Sequence, residues 1–189
     1  MKKTPDHAKK VFEGVIFDVY HWDQEMFDGT TAVFEALKKR DTVTVLATVD
    51  NMIVLNKEEQ PARPPFVALP GDICEKDEDI IQNAQRELLE ETGYSSDEWQ
   101  EWFTVDPFGE MRKIEWSSHF YIAKNCKKVS EQKLDSGEKI QTSLITFEEF
   151  LSLKDDPSFR NKELLSILTK ASESEEEKQT LKALLGITT

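Results

Sequence analysis

Between Lys10 and Leu37 apolar residues alternate with polar ones. Val11, Phe12, Val15, Ile16, Phe17, Val19 and Tyr20 precede Asp28-Gly29, and Thr31, Val33 and Phe34 follow it. This pattern predicts two antiparallel strands around a hairpin turn, an extension placed ahead of the main domain. Thr42 to Val49 (TVTVLATV) is β-branched and nearly continuous, and Asp50-Asn51 turns it onto Met52 to Leu55 as a second hairpin. The stretch Gln60 to Pro65 (QPARPP) must be a loop, because its prolines fix φ and remove backbone donors. Phe66 to Leu69 follows as a short strand ending at Pro70-Gly71.

Asp79 to Thr92 (DIIQNAQRELLEET) carries the strongest helical periodicity, with acids ahead of its first turn and Gly93 as its stop. Trp99 to Val105 and Ile114 to Ala123 read as strands, with Pro107 and Gly109 marking a loop between them. A polar loop from Ser130 to Lys139 leads to a last strand at Ile140 to Ile145, and Thr146 caps a helix over Phe147 to Leu153. Two further helices, Asn161 to Lys170 and Ser174 to Leu185, flank a Ser/Glu-rich hinge. The expected organisation is an α/β domain with a mixed sheet packed by helices. Residues 1–40 form the N-terminal β extension, 41–155 the main domain and 156–189 a helical tail.

Composition narrows the class. With 189 residues, 38% of them hydrophobic, and 11 Phe and 4 Trp, the chain is long enough and apolar enough to fold around a real core. No run approaches the roughly 20 apolar residues of a membrane-spanning helix. MKKTPDHAKK opens with positive charge but lacks the apolar stretch of a signal peptide, and Cys74 and Cys126 form neither a disulfide framework nor a CxxC zinc motif. These features point to the cytoplasm. The net charge of −13 repels nucleic acid and anionic lipid.

That charge is concentrated. Residues 72–101 hold 11 acids against Lys76 and Arg86, a balance of −9. Along the helix from Asp79, at about 100° per residue, Glu87, Glu90 and Glu91 project from one side of two adjacent turns, beside the stripe of Ile81, Ala84 and Leu88. Three carboxylates at the border of a buried face disfavour joint ionisation unless a counter-charge joins them. A divalent cation such as magnesium or manganese, which prefers oxygen ligands, would serve. Alternatively, Arg86 and Lys76 neutralise part of the cluster and the rest is a solvated acidic face.

The longer pattern carries more. GDICEKDEDIIQNAQRELLEETGY, from Gly71 to Tyr94, resembles the Nudix box: a glycine, five residues, Glu, seven residues, then REUxEExGU with U aliphatic. Glu78 and the run Arg86 to Gly93 match in order and spacing. Tyr94 takes the last aliphatic position, and Asp72 stands where the box has glycine, with Gly71 one step early. The preceding QPARPPFVALPGD, the N-terminal extension, the aromatic-rich Ile114 to Ala123 and the late LDSGEKI segment are similar to the ADP-ribose pyrophosphatase branch of the Nudix hydrolases. The likeness spans about residues 10 to 155.

The resemblance implies a Nudix α/β/α sandwich with a mixed sheet, and metal-dependent hydrolysis of the diphosphate of a nucleoside diphosphate sugar. ADP-ribose is the first expected substrate. House-cleaning pyrophosphatases for nucleoside triphosphates or dinucleotides, and non-catalytic nucleotide-binding modules, share the same box. By resemblance Glu87, Glu90 and Glu91 are metal ligands, with the Gly71 carbonyl as a further one, and Arg86 with Glu78 supports the loop through an ion pair. A general base is expected on the loop before the last strand, where Glu131, Asp135 and Glu138 stand; Glu138 is the choice here. Arg63 in the proline-rich loop is the candidate substrate contact, while Trp116 and His119 belong to core and pocket wall. His7 and His21 suggest no role. The branch also implies a homodimer built through the N-terminal strands.

Overall fold

The computed structural model describes residues 4–76, 78–106 and 113–188; Pro107 and Gly109 of the expected loop lie outside them. In chain order come β1 (Lys9–Glu13), β2 (Phe17–Glu25), β3 (Thr31–Lys39), β4 (Thr42–Val49), β5 (Met52–Glu59), β6 (Phe66–Ala68) and α1 (Ile80–Thr92). There follow β7 (Tyr94–Ser95), β8 (Glu98–Val105), β9 (Ile114–Glu115), β10 (Ser118–Lys124), β11 (Lys127–Lys128) and β12 (Lys139–Ile145). The helices α2 (Phe147–Ser152), α3 (Leu165–Glu173) and α4 (Glu175–Leu185) end the chain.

The central sheet runs β12-β5-β4-β10-β8, with β6 beside β5. It is mixed, since β10 runs parallel to β4 and the other pairings are antiparallel. Both faces are covered. Val43, Val45, Ala47, Val54 and Tyr121 cluster with Ala84 and Leu88 of α1, while Leu46, Ile53, Leu55, Phe120 and Ile122 cluster with residues of α2, α3 and α4. A strand buried on both sides favours apolar or β-branched residues throughout, as in TVTVLATV, where even Thr44 and Thr48 are buried. The architecture is an α/β/α sandwich. Phe159, Leu164, Leu168 and Leu185 are fully buried in the second cluster, so the segment after residue 156 is part of the core.

The N-terminal extension differs from the expected single hairpin. Gly14, Val15 and Ile16 reverse the chain, so the run Val11 to Tyr20 makes two strands, and β1-β2-β3 forms a three-stranded antiparallel sheet extended by β9. A Cβ on Gly14 would stand 2.3 Å from the Phe17 carbonyl oxygen, which explains glycine in that turn. Ile114 to Ala123 is likewise two strands. β9 pairs in parallel with β3 and, after Trp116-Ser117, β10 pairs with β4, so one short segment ties the two sheets together.

The β4-β5 hairpin positions the site. Its turn places Asp50 and Asn51 at φ 47° and 66°, the left-handed pair that matches strand twist in a two-residue loop. β4 and β5 pair only next to that turn, through Thr48 with Ile53 and Val49 with Met52. Beyond it they part, and the segment after β6 takes β5's place along β4: the amide of Val45 donates to Pro70 O at 2.8 Å and that of Val43 to Asp72 O at 2.9 Å. Gly71, at φ 138°, lies between these bonds, and a Cβ there would fall 2.1 Å from the Val43 carbonyl oxygen. No larger residue fits so close to β4.

Candidate active site

The sequence opens α1 with a loop, and one asparagine pins that loop to the helix. Buried Asn83 accepts from the Glu75 amide at 2.6 Å and donates to the carbonyls of Glu78 and Asp79 at 3.3 and 3.0 Å. The other end closes when Gly93, at φ 69°, donates its amide to Leu89 O at 2.8 Å. Between these ends Ala84 and Leu88 face the sheet, and Glu87 and Glu91 are carried into the same buried boundary.

Arg86 links the acids. Its Nε donates to Glu78 at 3.2 Å, one terminal nitrogen to Glu87 at 2.6 Å and Glu90 at 3.1 Å, and the other to Asn83 at 3.0 Å. Glu91, one turn on, accepts from Asn56 Nδ2 at 2.9 Å and from the Gly71 amide at 3.1 Å. Asn56 is itself oriented by Thr142, whose hydroxyl donates to it at 2.9 Å and accepts from Gln132 at 3.1 Å. The chain of donors therefore runs Gln132, Thr142, Asn56, Glu91. It fixes a carboxylate whose burial would otherwise leave its lone pairs unpaired.

The same Gln132 holds the late loop against α1. It also donates to the Glu91 carbonyl, and the Lys133 amide donates to Glu90 O at 2.8 Å. Glu138 is thereby brought to the cleft, its amide bonded to Asp135 O at 3.0 Å. Glu131 is exposed outside the cleft linings; Asp135 lines only the compartment next to α1. Two compartments of about 220 and 200 Å³ meet at Asp72, Glu91 and Glu138. The second contains Arg86, Glu87 and Glu90.

Burial dominates the electrostatics. It pushes Glu87 up to about 7 against the pull of Arg86. Glu58, on β5, is pushed to about 7 by the same cause, opposed by Arg160 and reinforced by Glu138 and Asp72. Glu91 is raised well above the ordinary range by burial, then by Glu58 and Glu87, and Glu138 is raised by burial first. Charge so concentrated and so poorly hydrated favours protons or a cation.

The first compartment ends differently. Lys39 lies over the Trp116 ring at 5.1 Å and the Arg160 guanidinium over Phe66 at 4.8 Å, and all four residues line it. Arg63 is exposed on its loop and is absent from the lining of both compartments. His119 bridges Asp41 at 3.2 Å and Thr104 at 3.1 Å rather than facing the acids. Sequence reasoning missed Asn56, Glu58, Gln132, Thr142, Lys39 and Arg160. Only Asn56 and Glu58 left a trace, as polar residues two apart that continue β5 past Leu55 with alternate burial.

Comparison with known proteins gives the family. The NUDIX domain profile matches residues 38–166. The chain is 28% identical over 151 residues to the ADP-ribose pyrophosphatase of Bacillus subtilis (strain 168), covering 77% of this chain and 79% of that protein. It is 30% identical over 166 residues to the methanol dehydrogenase activator of Bacillus methanolicus, covering 85% and 88%. A solved structure described as an ADP compounds hydrolase superposes with a TM-score of 0.70 at 20% identity, over 92% of this chain and 94% of that one, and so shares the fold. The chain belongs to the NUDIX family, as a hydrolase similar to the ADP-ribose pyrophosphatases.

Proposed function

We propose that this Nudix hydrolase cleaves the diphosphate of a nucleoside diphosphate sugar, ADP-ribose first among them, to a nucleoside monophosphate and a sugar phosphate. The observation that carries the reading is the convergence of Glu87, Glu90 and Glu91 of α1 with Glu138 of the late loop around adjoining compartments. The B. subtilis relative named ADP-ribose pyrophosphatase supports the substrate.

An anionic diphosphate meets a cleft of its own sign here, so a divalent cation belongs to the proposal. The donor set fits: hard carboxylate oxygens that burial leaves short of counter-charge, and a Gly71 carbonyl outside the bonds that Pro70 O and Asp72 O make to β4. Among the described residues the acids do not already stand as a ready-made cluster; Arg86 spans Glu87 and Glu90. Glu87, Glu90, Glu91 and the Gly71 carbonyl would hold magnesium or manganese, whose charge would offset that of the phosphates and acidify a bound water. Arg86 keeps the carboxylates and the loop at Glu78 in register. Glu138 accepts the proton of the water, and its partial burial gives it the basicity for that role.

The test is a product analysis. Incubated in magnesium or manganese with ADP-ribose, other nucleotide sugars, nucleoside triphosphates and dinucleotides, the protein is expected to show its highest kcat/KM on a nucleotide sugar. A higher kcat/KM on triphosphates or dinucleotides would overturn the substrate.

Assembly is part of the same reading. Phe12 is 60% exposed and Val33 66% on the strands of the N-terminal sheet, and Val15 at 96% and Phe27 fully exposed stand in the turns at either end of β2. Exposed apolar residues spread over one extension mark it as a contact surface, and the proposed occupant is a second copy, giving a homodimer. Full-length protein is expected to sediment as a dimer at micromolar concentration, and removal of residues 1–37 to give a monomer with weakened substrate binding. A monomeric full-length protein would refute the dimer. The proposed location is the cytoplasm, consistent with two buried free thiols; no described helix is long and apolar enough to cross a membrane.

A further inference from the structure

The cleft has one feature that hydrolysis by the acid cluster does not use. In a chain of net charge −13 most cations near the cleft are already committed: Lys38 pairs with Glu115, Arg40 with Glu75, and Arg86 with three glutamates. Lys39 and Arg160 are not. Among the described residues neither makes an ion pair or a side-chain hydrogen bond, and both line the same compartment as Gly71, Glu91 and Glu138. Arg160 lies close enough to Lys39 to lower its proton affinity, which burial lowers first and Asp72 partly restores. Asp72 and Asp41 attract Lys39 and Glu58 lies near Arg160, but none of these acids forms an ion pair with either cation, so on this wall of the compartment the ammonium and the guanidinium keep donors to offer an anion.

Both are held in place by the structure around them. Arg160 sits on a segment latched to β6: the Val67 amide donates to Ser158 O at 3.1 Å, the Arg160 amide to Val67 O at 2.8 Å, and the Leu69 amide to Asn161 Oδ1 at 2.9 Å. Phe159, wholly buried, anchors the latch between them. Asp156 closes the turn before it by accepting from the amide and hydroxyl of Ser158, each at 2.7 Å. Lys39 ends β3, where the parallel pairing with β9 sets Trp116 beneath it. Because each cation covers a face of its aromatic ring, those faces are not open to a stacking base. A guanidinium fork and an ammonium held this way suit phosphate oxygens.

We propose that Lys39 and Arg160 form an anion clamp that grips one phosphate of the diphosphate substrate, opposite the box glutamates. The inference deepens the function proposed above and rests on it. It names the positioning residues for the substrate's second anionic group and locates them on β3 and on the segment before α3, not on the proline-rich loop of Arg63.

Lys39→Met, Arg160→Gln, Arg160→Lys and, as a control for lost charge, Lys170→Met would be compared with the wild type. With ADP-ribose in magnesium, Arg160→Gln and Lys39→Met are expected to raise KM about 10- to 100-fold each, the weight of a charge-assisted hydrogen bond, and to change kcat far less. Arg160→Lys should recover part of the loss, and Lys170→Met should behave as wild type. Thermal unfolding midpoints should stay together, because a merely structural Arg160 would show in stability and not in KM. Titration with inorganic pyrophosphate, in magnesium and in chelator, reads the clamp without turnover. If the wild type hydrolyses no nucleoside diphosphate derivative, the proposed function fails while this titration still judges the clamp. Unchanged pyrophosphate affinity in Arg160→Gln and Lys39→Met, or no pyrophosphate binding by the wild type, overturns the clamp.

Discussion

The two ends of the cleft are built on opposite terms. At the acid end every carboxylate that matters is already bonded within the protein: Arg86 reaches Glu78, Glu87 and Glu90, and Asn56 and the Gly71 amide hold Glu91. At the cation end Lys39 and Arg160 rest on aromatic rings and, among the described residues, bond to no acid. The difference teaches which end is geometry and which is affinity. A preorganised network tolerates little change, because removing one member strands a buried partner. Uncommitted cations can be exchanged at the cost of binding alone.

The sharpest way to break the comparison is to neutralise the acid end. Glu91→Gln and Glu87→Gln should each lower kcat at least about 100-fold with the fold retained, and excess chelator should do the same to the wild type. Either variant turning over at wild-type rate would remove that residue from the proposed metal site. Arg86→Ala should act on the same end more gently. We expect metal affinity to fall about 10- to 100-fold, read by the magnesium dependence of the rate, with the loop from Gly71 to Glu78 loosened in hydrogen exchange.

A smaller effect lies between the ends. Glu58 is 5% exposed and its affinity for a proton is raised from the ordinary 4.5 to about 7. The folded protein therefore binds this proton more tightly than the unfolded chain does. Its contribution is complete below the ordinary value and is lost as pH rises through about 7. In chelator, the wild type should lose on the order of 2 kcal/mol more stability between pH 4.5 and 8 than Glu58→Gln does, measured by urea unfolding. Identical pH slopes would mean that Glu58 is hydrated and does not couple the two ends.

Much of the acid end was readable because it is local. Arg86, Glu87, Glu90 and Glu91 share one helix, and 3.6-residue periodicity alone brings them to adjacent turns, whereas the part of Asn83 on the same helix showed only in its bonds to the loop. The capping box at Thr146 and Glu149 was half readable for the same reason: the cap was expected, and its reciprocal bonds are local. The turn at Gly14 was missed because Val15 and Ile16 are apolar and yet stand exposed in it, so the hydropathy pattern ran unbroken through a reversal. The break at Trp116-Ser117 was missed because β9 and β10 are both strands, and only their partners distinguish them.

By itself the sequence determined α1 and the acid cluster, since each depends on residues within about two dozen positions and on helical period; the need for glycine at position 71 arises only where that residue is pressed against the Val43 carbonyl of β4. Only the tertiary structure decided the rest of the cleft. Glu58 is buried there because β12 and β6 both pair with β5. Lys39 and Arg160 meet because β9 joins β3 to the core and the latch of Ser158 to Asn161 closes on β6. No local periodicity relates positions 39, 58, 116 and 160; their proximity follows from strand pairing and the burial of residues such as Phe159, which are properties of the whole fold.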